Sequence, residues 1–128
     1  MGDTTKVSRF NEYRGYSTPD YDGWRRFSQY VGVRDTTRLA VDFYRPTRAG
    51  QLHVDPLPVI WSHTRYQRSS LVDGKLYTTL DYHPPLICVL QHGYVLAAVD
   101  VRGAGASYGT QYGWFPPEEA EDAYDITE

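Results

Sequence analysis

The feature that most constrains the fold is an apolar run at residues 94–101, which is followed at once by a glycine-rich turn at 102–109. Apolar residues fill the run except at Asp100, without the alternation that a half-exposed strand would show. Such a run predicts a strand buried on both faces of a parallel sheet, with its carboxyl end at the edge where ligands bind. The rest of the chain can be placed relative to this strand.

An antiparallel hairpin is predicted upstream, because residues 27–33 and 37–43 alternate between apolar and polar side chains around a turn. Residues 1–26 show no period and are interpreted as an extended N-terminal arm. The aromatic residues expected to hold this arm on the fold are Tyr13, Tyr16, Tyr21 and Trp24. Asp20 and Asp22 resemble a calcium loop only faintly, so a plain turn is preferred there.

A βαβ unit accounts for the middle of the chain. Pro58 fits only at the start of a third strand, 58–63, and the two prolines at 84 and 85 suit the first turn of a helix that ends before Gly93. Together with the strand at 94–101, these elements form a right-handed crossover. Residues 64–83 show no period and are predicted to be a functional loop or an insertion.

A further helix is predicted from Pro117, with Glu118 and Glu119 near the positive end of its dipole. The sequence ends inside this helix, and a long hydrophobic strand is then expected at an open edge of the sheet. Residues 27–128 are therefore predicted to be the N-terminal portion of a longer domain. The alternative is a complete small domain with a frayed terminal helix.

Composition excludes several classes of function. The balance of 13 basic and 16 acidic residues, with a net charge of -3, argues against nucleic-acid and membrane-surface binding. The single Cys88 cannot form an internal disulfide, and the N-terminus lacks the apolar core of a signal peptide. A cytoplasmic location is predicted, and no apolar stretch is long enough to span a membrane. Homo-oligomerisation stays open.

Ser107 lies in a G-x-S-x-G pattern at 105–109 but is not interpreted as a nucleophile. The apolar run ends at Val101, too early for a serine on a sharp turn between strand and helix, and all four histidines precede Ser107. The pair Gly103 and Gly105 is also a weak dinucleotide motif, because no helix follows directly. Neither pattern assigns a site.

No metal or cofactor site is predicted. Cys88 and His92 are four residues apart, but no further ligand has the spacing of a zinc site. They are interpreted as a core cysteine and a helix-end histidine, and Arg25 and Arg26 as a solvated pair.

Tyr66 is a candidate catalytic residue because of its predicted location, since it follows the third strand at the carboxyl edge of the sheet. In α/β-hydrolase folds an oxyanion-hole donor lies in the loop at this position, and a phenol can donate one hydrogen bond to a developing alkoxide. A packed or surface tyrosine is the alternative interpretation.

Four stretches, 30–35, 37–46, 58–66 and 93–109, together resemble a known family. It is the N-terminal part of the cocaine-esterase and X-Pro dipeptidyl-peptidase-like serine hydrolases, and the likeness extends over residues 30–128. The resemblance implies an α/β-hydrolase fold, with an antiparallel hairpin leading into a parallel βαβ sheet. It also implies a Ser-Asp-His triad and cleavage of small-molecule ester, amide or peptide substrates through an acyl-enzyme.

The resemblance also implies a role for Tyr66, as the family's tyrosine hydroxyl in the oxyanion hole. The family's triad lies further along the chain than residue 128, so the 128 residues alone are expected to be inactive. Arg65 replaces the family's usual proline and is expected either to loosen the loop or to face an anionic substrate, and Thr36 replaces the common glycine of the hairpin. The main alternative function is a non-catalytic, aromatic-rich binding module.

Overall fold

The computed structural model of the protein describes residues 9–12 and 17–128. The elements in chain order are the strands β1 (Gly23–Gly32), β2 (Arg38–Arg48), β3 (Gln51–Leu52), β4 (Val59–Thr64), β5 (Ser69–Val72) and β6 (Lys75–Thr78), the helices α1 (Thr79–Tyr82) and α2 (Leu86–Gln91), the strand β7 (Val95–Asp100) and the helix α3 (Pro117–Thr127). One five-stranded sheet has the order β1-β2-β7-β4, with β3 paired to β2, while β5 and β6 form a separate hairpin.

The apolar run forms the buried strand that the sequence predicted. All six residues of β7 are buried, and the strand pairs in parallel with β4 and antiparallel with β2. The predicted βαβ unit of β4, α2 and β7 is therefore confirmed. The strand at an open edge is β4 rather than β7, since Val59 and Ile60 are 55% and 45% exposed.

The predicted antiparallel hairpin is β1 paired with β2, in a register that places Phe27 opposite Phe43. The strand begins at Gly23, so it includes Trp24 and the two arginines that the prediction assigned to the arm. Arg26 donates to the buried Asp42 over 3.2 Å, and its interpretation as half of a solvated pair is wrong. Tyr13 and Tyr16 lie outside the described residues, and the arm N-terminal to Gly23 stays a prediction.

The turn of this hairpin places Thr36 in a conformation that favours glycine. The N–H of Thr36 donates to the Val33 carbonyl over 2.8 Å, and the N–H of Val33 donates to the Thr37 carbonyl over 2.9 Å. Thr36 has φ of 67°. This is a three-residue loop closed by a left-handed residue, and a β-branched side chain is strained at that position.

Thr36→Gly is therefore expected to raise the free energy of unfolding by about 0.5–1 kcal/mol. The relieved strain, about 1–2 kcal/mol, exceeds the extra chain entropy that glycine loses on folding, about 0.5–1 kcal/mol. Urea unfolding measures the change, and Thr110→Gly is the matched control, because Thr110 is an exposed threonine outside the left-handed region. A loss of stability in Thr36→Gly as large as in the control would contradict the expectation.

The stretch predicted to be a loop, 64–83, contains regular structure. Asp73 and Gly74, with φ of 49° and 75°, form the two-residue turn between β5 and β6. Both residues adopt the left-handed conformation that this tight hairpin turn requires. The helix α1 follows directly, so only the residues between β4 and β5 are irregular.

The two faces of the sheet each carry one apolar core. On one face, Val33, Leu39, Val41, Ala97 and Val99 pack with Ile126 of α3. On the other, Tyr44, Leu80, Leu90 and Leu96 pack with α2. The alternation of Leu96, Ala97 and Val99 between the two cores explains why β7 is apolar at nearly every position.

The helix termini follow the predicted signals. Gly93 has φ of 86° after α2, as a left-handed C-terminal cap requires, and Pro117 opens α3 with Glu118 and Glu119 in its first turn. Cys88 is exposed on α2, so its interpretation as a core cysteine is wrong. In the part of the chain that the structure describes, no helix is long and apolar enough to cross a lipid bilayer.

Candidate functional site

Tyr66 lies at the carboxyl end of β4, where the sequence predicted a functional side chain. The residue is 81% exposed and borders two cavities of about 440 and 680 Å³. One cavity lies between β4 and α3 and the other between β4 and α1. Within residues 9–12 and 17–128, the Tyr66 hydroxyl has no hydrogen-bond partner, and the hydrogen bond that Tyr66 donates there is from its backbone N–H.

On the N-terminal side of Tyr66, a local hydrogen bond holds the backbone. The N–H of Tyr66 donates to the Thr64 hydroxyl over 3.0 Å. The next residue, Gln67, has φ of 69°, a left-handed conformation that turns the chain sharply away from the strand. The phenol therefore projects from a tight bend rather than from a flexible loop.

Arg65 anchors the same bend to α3. Its guanidinium donates to both carboxylate oxygens of Glu119, over 2.8 and 2.7 Å, and to the Gly113 carbonyl over 3.2 Å. It also lies over the rings of Trp114 and Phe115, at 5.0 and 4.5 Å from their centroids. The guanidinium is paired and stacked, and these contacts tie the bend to α3. Arg65 also borders the cavity between β4 and α3, and both expectations for it, a looser loop or an anionic substrate, stay predictions.

Arg68 lies on the other side of Tyr66 and bridges two fully buried carboxylates. Its Nε donates to Asp42 over 3.0 Å, its Nη1 donates to Asp100 over 2.7 Å, and its backbone N–H donates to Asp100 over 2.7 Å. Asp42 and Asp100 have 0% exposure. Buried carboxylates need this pairing, because an isolated buried charge is strongly unfavourable.

The Ser107 hydroxyl is hydrogen-bonded to two backbone groups. Its hydroxyl donates to the Asp100 carbonyl over 2.7 Å and accepts from the N–H of Ala40 over 2.8 Å. The serine thus joins the end of β7 to β2, in agreement with the interpretation that it is not a nucleophile.

A third arginine cluster fixes α3 against the rest of the fold. Arg102 donates to both oxygens of the buried Asp122, over 2.8 and 2.6 Å, and to Asp35 over 2.6 Å. Arg34 donates to Asp122 over 2.9 Å. The hydrogen bonds from Arg102 hold the pKa of Asp35 far below its ordinary value. The hairpin turn, the loop after β7 and α3 are therefore joined through Asp122.

The family is decided by comparison with known proteins. A family model described as X-Pro dipeptidyl-peptidase (S15 family) matches residues 35–128, well over half of the chain. The chain belongs to this family. Two curated proteins named "Putative serine esterase", from Mycobacterium bovis and Mycobacterium tuberculosis, are each 35% identical over 134 residues, which is 88% of this chain and 20% of theirs. The chain thus spans about a fifth of the length of these relatives.

Solved structures give the fold. An aminopeptidase from a marine sediment archaeon and an α-amino acid ester hydrolase superpose with TM-scores of 0.57 and 0.58, each at 20% identity, covering 87% of this chain and 19% of the other. The resemblance to X-Pro dipeptidyl-peptidase-like hydrolases that the sequence motifs indicated is confirmed, and so is the fold class, part of an α/β-hydrolase fold.

Within this family fold, the structure adds a residue that sequence reasoning did not single out. The ring of His63 borders the same two cavities as Tyr66, and its Nε2 is buried without a hydrogen-bond partner in the described residues. Burial lowers the pKa of His63 from its ordinary 6.5, and the nearby Glu119 and Asp122 partly oppose this. The only feature of the sequence that could have indicated His63 was its place near the end of a predicted strand.

His63 is expected to make the protein less stable as pH falls from about 7.5 to about 5.5. The folded-state pKa is below 6.5, so the unfolded chain binds a proton that the folded chain resists. This loss of stability is absent at pH values above the pKa of His63 in the unfolded chain and complete at pH values below its pKa in the folded chain. Urea midpoints at both pH values should therefore fall less for His63→Gln than for the wild type, with the exposed His83→Gln as control. Equal falls in His63→Gln and wild type would contradict this.

The other candidate sites of the sequence do not assemble. His92 pairs with the Ser17 hydroxyl over 2.9 Å rather than with Cys88. The Asp22 carboxylate accepts from the N–H of Ala49 over 3.0 Å and so caps the turn between β2 and β3, whereas no turn forms at Asp20 and Asp22 themselves. Among the described residues, no three His, Cys, Asp or Glu side chains are grouped so that they could hold a metal ion.

Proposed function

We propose that this chain is part of a serine hydrolase that cleaves ester or amide bonds through an acyl-enzyme, and that the Tyr66 hydroxyl is one donor of its oxyanion hole. The observation that carries the proposal is an exposed phenol, at the carboxyl edge of a hydrolase sheet, whose hydroxyl has no hydrogen-bond partner in the part of the chain that the structure describes. The family and the esterase names of its relatives support the same reaction class.

The proposed role of Tyr66 is to donate a single hydrogen bond. When a nucleophile attacks the substrate carbonyl, the carbonyl oxygen becomes an alkoxide, and a donor aimed at that position stabilises the transition state more than the ground state. A neutral phenol can supply one such hydrogen bond without transferring its proton. The nucleophile, acid and base are proposed to come from the part of the relatives that this chain does not match.

The substrate class is proposed to be a small ester, amide or peptide. Trp114 and Phe115 give the cavity beside Tyr66 an aromatic wall, which suits an apolar acyl or leaving group better than an anion. Nothing in the family match supports the alternative of a non-catalytic binding module.

The test compares the 128-residue chain with the protein product of the complete open reading frame that encodes it. Labelling is measured with a fluorophosphonate probe, and hydrolysis with nitrophenyl ester and X-Pro anilide substrates. Hydrolysis and labelling are expected for the product of the reading frame, and neither for the 128 residues alone. Ser107→Ala is the control and should keep full labelling. Labelling of Ser107, or no hydrolysis by the complete product, would contradict the proposal.

A further inference from the structure

We propose that Arg68 is a positioning residue for Tyr66, and that the glycine-rich turn after β7 exists to hold the Asp100 carboxylate that fixes Arg68. This inference rests on the proposed role of Tyr66 in the oxyanion hole. It assigns a task to a turn whose glycines the sequence analysis left without one.

Arg68 fixes the Tyr66 bend from its C-terminal side. Tyr66 is too exposed for packing to set its direction, so the backbone on either side must do so. On the C-terminal side, the backbone N–H and the guanidinium of Arg68 both bind Asp100, each over 2.7 Å. A main-chain contact two residues from Tyr66 restricts the path of the bend directly.

The Asp100 carboxylate that accepts these hydrogen bonds is itself held in place. The Asp100 carboxylate accepts a third hydrogen bond, from the N–H of Ala106 over 3.0 Å, and is fully buried. Gly105 has φ of 53°, and a Cβ at this position would lie 2.2 Å from the Asp100 Oδ2. Only glycine lets the turn close over the carboxylate in this way.

A purely structural role does not account for the position of Arg68. A buried ion pair stabilises a fold no better than apolar residues of similar size, so stability alone does not account for one arginine between two buried carboxylates. Positioning does account for it, because a displacement of about 1 Å at a reacting centre can cost about 10²-fold in rate. The contacts from Asp42 and Asp100 leave the Arg68 guanidinium little freedom.

The test is a double-mutant cycle on kcat in the product of the complete open reading frame, with Tyr66→Phe, Arg68→Lys and the double variant. Lysine keeps the charge but loses the fork that bridges Asp42 and Asp100. Arg68→Lys is expected to lower kcat by about ten-fold with KM little changed. In the Tyr66→Phe background it should lower kcat by less than about two-fold, because the hydroxyl it aims is already gone.

Gly105→Ala provides an independent second variant in case Arg68→Lys does not fold. It should lower kcat in the same Tyr66-dependent way, while Gly50→Ala should not, because Gly50 shares a positive φ of 75° but a Cβ there meets nothing within 4 Å, and Gly50 lies between β2 and β3, outside the Tyr66 bend. Equal losses in both backgrounds would overturn the positioning role and leave Tyr66 in the mechanism. Unchanged kcat in Tyr66→Phe would instead overturn the proposed role of Tyr66 in the oxyanion hole, and this inference with it.

Discussion

Tyr66→Phe in the product of the complete open reading frame is expected to lower kcat by about 10² to 10³, the usual loss for one oxyanion-hole donor. The ring stays and only the hydroxyl is removed, so packing and the aromatic wall of the cavity are unchanged. Because the lost hydrogen bond forms chiefly in the transition state, KM should change far less than kcat.

Steady-state kinetics on a nitrophenyl ester measures this effect, and Tyr112→Phe is the matched control. Tyr112 is also an exposed tyrosine, at 72%, but it does not border either cavity at Tyr66. The control should retain wild-type turnover. An unchanged kcat in Tyr66→Phe, or an equal loss in both variants, would remove Tyr66 from the mechanism.

Asp122→Asn is expected to lower the free energy of unfolding by about 3 kcal/mol, the lower end of the cost of breaking a buried ion pair. Asp122 is fully buried and accepts hydrogen bonds from both Arg34 and Arg102. The hydrogen bonds that Arg102 donates to Asp122 and Asp35 raise its pKa, so its guanidinium stays charged at every working pH. The amide of asparagine would turn a donor toward one of these guanidinium groups.

Urea unfolding measures the loss, and Glu121→Gln is the control. Glu121 also pairs with Arg34, over 2.6 Å, but its side chain is 60% exposed. An exposed pair contributes at most about 1 kcal/mol, so the control should be nearly as stable as the wild type. Equal losses in the two variants would show that burial of Asp122 is not what makes it important.

The elements that the sequence predicted well are those whose signals are local. The apolar run of β7, the alternation of β1 and β2 and the proline at the start of α3 each follow from neighbouring residues. The hairpin of β5 and β6 was also locally encoded, by Asp73 and Gly74, because this dipeptide favours a tight hairpin turn. That signal was missed since the strands beside it are only four residues long.

The parts that could not be predicted depend on contacts between distant residues. Arg65 and Glu119 are 54 positions apart, and Arg68 and Asp100 are 32 apart. Only the order of strands in the sheet brings these charges together, and no local pattern distinguishes a buried arginine from an exposed one. The place of Tyr66 followed from the strand that precedes it, whereas the contacts that fix its bend did not.

The most direct measurement of the central claim is a crystal structure of the complete open reading frame product after reaction with a fluorophosphonate. The phosphonyl oxygen of the adduct occupies the position of the oxyanion. The Tyr66 hydroxyl is expected within about 3.1 Å of it, the range of an oxyanion-hole hydrogen bond. A hydroxyl that points away from the adduct, with another side chain in its place, would contradict the account.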